Sequence, residues 1–128
     1  MTIERIALWT NDLERVRQFY EVYFNATANA RYHNPTKDFT SYFLRFASGA
    51  RLELMQRPSL SAATDPAAPV QGYAHLAFAT GSAAAVEALT ERLRLAGYPV
   101  LGEPRTTGDG YYESVVADPD GNPIEITI

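Results

Sequence analysis

The sequence contains no cysteine, which excludes disulfides, thiol nucleophiles and thiolate metal sites. Positive charge is also scarce: 11 Lys and Arg stand against 15 Asp and Glu, for a net charge of -4. With a pI near 5.1, a nucleic-acid binder held by a basic face is not expected. Lys37 is the single lysine beside ten arginines, a bias of composition rather than a functional signal. No stretch approaches the roughly 18 apolar residues of a membrane span. The opening "MTIERIALWTND" lacks the apolar run of a secretory leader. The expectation is therefore a cytoplasmic protein that meets neither membrane nor nucleic acid. What is present is ordinary globular material: 128 residues, 46% hydrophobic and 20% charged, enough for one domain with a real core.

Periodicity organises the chain. "IERIALWT" (3–10) alternates as a strand, with Ile6 and Leu8 on one face and Arg5, Ala7 and Trp9 on the other. "TNDLERVRQFYEVYF" switches to helical period, its stripe formed by Leu13, Val16, Phe19, Tyr20 and Tyr23, with Asn11 or Asp12 as N-cap. Residues 25–38 are ambiguous. "FTSYFLRFASGARLELMQ" reads as a hairpin turning at Ser48-Gly49. In its second strand Leu52 and Leu54 oppose Arg51, Glu53 and Met55. The Pro- and Ala-rich segment 58–70 has the composition of a linker. "QGYAHLAFAT" is then a strand with Leu76 and Phe78 against Tyr73, His75 and Ala77. A helix capped by Ser82 follows, with stripe Val86, Leu89 and Leu93 and with Gly97 at its C-terminal end. Short strands are expected near 98–102, 111–117 and 123–128.

Strand, helix and several strands thus occur twice, in a module 1–57 and a module 71–128. The spacing agrees: 70 positions separate Arg5 from His75, and 72 separate Glu53 from Glu125. Each of these four polar residues belongs to a strand whose opposite face is aliphatic, so helices on the aliphatic faces leave the four on the uncovered face. Singly, His75 reads as a half-buried histidine, and Glu53 and Glu125 as solvated strand carboxylates. Together they favour a shared pocket suited to a hard-ligand metal or to proton abstraction by a carboxylate. The turn Asp118-Pro119-Asp120-Gly121 sets the register that aims Glu125. Trp9 shares the face of Arg5. The glycine-framed stretch 103–114 is read as a loop over the pocket mouth, with Arg105 or Tyr111 touching substrate. His33, Arg31 and Arg45 read as surface residues.

"GYAHLAFAT", "RLELMQ", "DPDGNPIEI" and "LERVRQFYEVYF", in this order and spacing, resemble the vicinal oxygen chelate superfamily across residues 3–128. That group includes glyoxalase I, methylmalonyl-CoA epimerase, extradiol dioxygenases and fosfomycin- and bleomycin-resistance proteins. The resemblance implies an α+β fold: a single glyoxalase-like domain of paired βαβββ modules forming an open cupped sheet with helices on the outer face. It also implies a homodimer and a divalent metal such as Ni or Zn held by Glu53, His75 and Glu125. Glu125 and Glu53 become candidate catalytic bases, and Arg5, Trp9, Arg105 and Tyr111 candidate substrate contacts. The first-strand ligand position, usually His or Gln, is occupied here by Arg5. A guanidinium stays protonated and has no lone pair for a metal, but it can pair with Glu53 and Glu125 as counter-charge.

Two functions from different classes follow. One is a glyoxalase I-like lyase or isomerase acting on a small carbonyl or hemithioacetal by carboxylate-mediated proton transfer with metal assistance. The other is a metal-free small-molecule binding protein of the bleomycin-resistance type, with Arg5 in the metal position. An extradiol dioxygenase needs two His and one carboxylate, and only one matched position is His. Methylmalonyl-CoA epimerase is disfavoured on the same ground.

Overall fold

The computed structural model describes residues 1–61, 65–69 and 71–128. The chain divides into two compact units, Met1–Ala62 and Ala63–Ile128. Within the expected linker, 62–64 and 70 lie outside the described residues.

The first unit runs β1 (Arg5–Trp9), α1 (Leu13–Phe24), β2 (Thr27–Ala28), β3 (Tyr32–Asn34), β4 (Phe39–Arg45) and β5 (Arg51–Gln56). Its mixed sheet has the order β1-β5-β4-β2, with β3 also paired to β4. Asp12 opens α1 by accepting from the Arg15 backbone N–H at 3.1 Å. Asn25, left-handed at φ 54°, closes it. The buried stripe is Leu13, Val16, Phe19, Tyr20 and Phe24. Phe24 takes the place expected for Tyr23, because the helix ends there and the last ring turns inward against Phe19 and Tyr20. This stripe covers Leu44, Leu52 and Leu54, each 2% exposed or less. The turn between β4 and β5 needs Gly49 at φ 82°.

The second unit runs β6 (Leu76–Ala79), α2 (Ala83–Leu95), β7 (Val100–Thr106), β8 (Tyr112–Ala117) and β9 (Pro123–Thr127), in sheet order β6-β9-β8-β7. Ser82 caps α2 by accepting from the Ala85 N–H at 3.2 Å. At the other end Gly97 (φ 90°) permits a Schellman closure: Tyr98 N–H donates to the Leu93 carbonyl and Gly97 N–H to that of Arg94, both at 3.0 Å. The buried stripe is Val86, Thr90 and Leu93, with Leu89 only half-buried. Thr90 is tolerated because its hydroxyl donates to the Val86 carbonyl and meets Ser114 Oγ, both at 2.6 Å. Ile124 and Ile126 of β9 complete this core.

The fold is α+β: the second module is βαβββ, the first carries one further short strand after its helix, and each has one helix-covered sheet face. No helix among the described residues is long and apolar enough to cross a membrane.

Candidate functional site

The two modules repeat one register. In the first, β1 runs parallel to β5 with Ala7 opposite Glu53; in the second, β6 runs parallel to β9 with Ala77 opposite Glu125. Arg5 lies two residues before Ala7, and His75 two before Ala77. Arg5 therefore stands to Glu53 as His75 stands to Glu125. Contacts follow the register: Arg5 Nε lies 3.3 Å from Glu53 Oε2, and His75 Nε2 lies 3.1 Å from Glu125 Oε2. Each module carries one basic–carboxylate pair at the same place, on the sheet face away from its helix.

The pairs differ in their surroundings. Glu53 is sheltered, 15% exposed, beneath an Arg5 side chain that is half-exposed. Arg5 also donates to Glu4 at 2.7 Å, and Glu4 accepts from Arg51 as well. Both guanidiniums lie over the ring of Phe43, which sits opposite Glu53 on β4, at 4.5 Å for Arg51 and 5.6 Å for Arg5. The Glu4 carboxylate, then Glu53, raise the Arg5 pKa above the usual arginine value, so the cation is permanent. Arg5 and Arg51 in turn hold Glu4 below the usual carboxylate range. Alternation of single strands gave no sign of Glu4, Arg51 and Phe43 as a set; they meet only once β1, β5 and β4 are laid side by side.

In the second module His75 precedes β6 rather than lying within it, and Tyr73 is fully exposed, because parallel pairing with β9 begins only at Leu76. Arg105 is part of β7 rather than of a loop. Its register partner is Glu113, whose carboxylate lies 3.9 Å away and is 12% exposed. Glu113 shares the sheet face of Glu125, since it lies opposite Thr127. The expected loop is a closed hairpin turn, in which Thr107 N–H donates to the Tyr111 carbonyl and Gly110 N–H to that of Thr107. Tyr111 is exposed at its end. Trp9 shares the Arg5 face and lies edge-to-face with Phe39. His33, read as a surface residue, hydrogen-bonds the Thr40 hydroxyl through Nδ1 at 3.0 Å.

Asp118, 2% exposed, holds the turn into β9. Its Oδ1 accepts from the Asp120 and Asn122 backbone N–H groups and its Oδ2 from the Asn122 side chain, all at 2.9 Å. Burial pushes its carboxyl above the usual range, and these hydrogen bonds draw it part of the way back.

Residues 2–126 match the family model of the Glyoxalase/Bleomycin resistance protein/Dioxygenase superfamily. The chain belongs to this superfamily. A comparison with curated proteins gives no sequence match. Among solved structures it is similar to glyoxalase I from Zea mays (22% identity, TM-score 0.81), covering 98% of this chain and 44% of that one. It thus spans less than half of the maize enzyme. It is also similar to the trypanothione-dependent glyoxalase I of Leishmania major (22%, TM-score 0.77, covering 99% and 86%). A third is a possible glyoxalase from Bacillus cereus (25%, TM-score 0.72, covering 100% and 99%). At these identities the likeness establishes the fold.

A divalent metal is the group that the resemblance implies, and Arg5 does not fit it as a donor. Arg5 offers no lone pair, and it engages the Glu53 carboxylate that a metal would need. A dication about 5 Å from Arg5 would meet repulsion on the order of a few kcal/mol. Among the described residues no three His, Asp or Glu side chains gather as a ligand group.

Proposed function

We propose that this protein binds a small organic molecule on the uncovered sheet face of its first module without a metal ion, as bleomycin-resistance-type members of the superfamily do, and that it works as a homodimer. The observation that carries the reading is the Arg5–Glu53 pair. A fixed guanidinium stands where a metal donor is expected and supplies positive charge in its place. The floor beside it, Phe43, Met55 and Trp9, is apolar and aromatic, as a small-molecule surface needs to be. The test is thermal unfolding in EDTA against a panel of small carbonyl and aromatic compounds. A true ligand at about 100 times its Kd adds about 2.7 kcal/mol and raises Tm by about 10 °C, with no compound consumed. Stabilisation that disappears in EDTA would sink the metal-free reading.

A second reading, a glyoxalase I-like lyase acting on a hemithioacetal, is favoured by the His75–Glu125 contact. Glu125 is then the base that removes a proton next to a carbonyl, and His75 orients its carboxylate. Glu53 is less suited to that role because Arg5 holds its oxygen. Consumption of the methylglyoxal–glutathione hemithioacetal by the native chain, abolished in Glu125→Gln, would put this reading first.

A further inference from the structure

The face of the first sheet away from α1 has a second end, four residues along β1 from Arg5. There Trp9 is 43% exposed and Tyr32 50% exposed. Phe39 lies between them, 6.0 Å from the Trp9 ring at 88° and 6.2 Å from that of Tyr32. Arg57, just past the end of β5, holds its guanidinium 4.8 Å above the Trp9 ring. Arg5 and Arg51, at the other end of the face, are each neutralised by carboxylates. Arg57 has no carboxylate within ion-pair distance among the described residues. A guanidinium resting on an indole keeps the N–H donors at its rim unused, and their planar fork matches a carboxylate.

We infer that this end of the face is a binding site for a small aromatic carboxylate. Its ring packs against Trp9 and Phe39, and its carboxylate is held by Arg57. The charges decide the ligand class. A cationic ligand would meet Arg57 as a like charge, and a neutral arene would leave the fork unpaired. An aliphatic acid would forgo the exposed rings. An aryl acid satisfies both halves of the site. This inference rests on the proposal that the chain binds a small molecule on this face, and it names the ligand class and a second anchoring residue.

The experiment titrates phenylacetate into the full chain by calorimetry, with phenylacetamide and acetate as comparators, while following the emission of the single tryptophan. Phenylacetate is expected to bind and to shift Trp9 emission, with both comparators weaker by about tenfold or more. Arg57→Gln should weaken phenylacetate by about tenfold and Arg57→Lys by less, because a point charge replaces the fork. Binding unchanged in Arg57→Gln but lost in Arg5→Gln would overturn the inference and leave the metal-free binding proposal standing. A panel compound that stabilises the chain while phenylacetate does not bind would do the same. Trp9 emission that changes with protein concentration alone would assign the face to a second copy of the chain, again overturning it.

Discussion

Leu54→Ala is expected to lower the unfolding free energy by about 3–4 kcal/mol, a cost typical of a fully buried leucine truncated in a close-packed core. Leu54 is completely buried beneath α1 and lies on β5, the strand that pairs with both β1 and β4. Its neighbours along the strand are Glu53 and Met55, which point the other way. The truncation therefore removes packing beneath the strand that carries Glu53 while leaving the Arg5–Glu53 contact chemically intact. Urea unfolding measures the loss. A loss below about 1 kcal/mol would mean that the α1–β5 core is not packed as described.

Asp118→Ala is the other large effect, expected at about 2–3 kcal/mol. Two backbone N–H groups and the Asn122 amide lose an acceptor in a place that water barely reaches. Asp118→Asn should cost less, because one oxygen can still accept from the backbone while its amide opposes that of Asn122. The pH dependence follows from burial raising the Asp118 pKa. The unfolded chain ionises this carboxyl near the ordinary value of about 3.9, and the folded chain resists doing so. Its favourable share of stability is therefore fully present below about pH 4 and is lost as pH rises through the folded pKa. The stability of the native protein relative to Asp118→Asn should accordingly fall as pH rises above about 4. A difference that grows over that range would contradict the role of burial. Weakening this turn should also disturb Glu125, since β9 enters directly from it.

Much of the fold was legible because the apolar period is clean where one face meets a helix. Ile6 and Leu8, Leu52 and Leu54, and Ile124 and Ile126 announced their strands, and Asp12 and Ser82 announced their helices. The signal failed where tertiary contacts outweigh local pattern. β2 and β3 are two- and three-residue pairings along β4, too short to carry a period. Thr90 is polar by type, but its hydroxyl is satisfied inside the core by Ser114. His75 sits just outside its strand because parallel pairing begins one residue later. At the candidate site, the separations of Arg5, Glu53, His75 and Glu125 anticipated the repeated pairs, since a repeat in register preserves spacing. The grip of Glu4 on both Arg5 and Arg51, and the placement of Arg57 over Trp9, depend on cross-strand neighbours that a one-dimensional pattern does not contain. Glu113 shares its strand face with Val115, opposite Thr127 and Glu125, but that placement depends on the pairing of β8 with β9.

The central claim is that Arg5 has taken the metal's place. The measurement that tests it most directly is elemental analysis of the native protein and of Arg5→His, each dialysed against Ni²⁺, Zn²⁺ or Mn²⁺ and then against buffer. The native chain is expected to retain well under one ion per chain, while Arg5→His, which restores a neutral donor and removes the like charge, retains close to one. Native protein that keeps a full equivalent, with Arg5→His no better, would contradict the claim and return the metal-assisted lyase to first place.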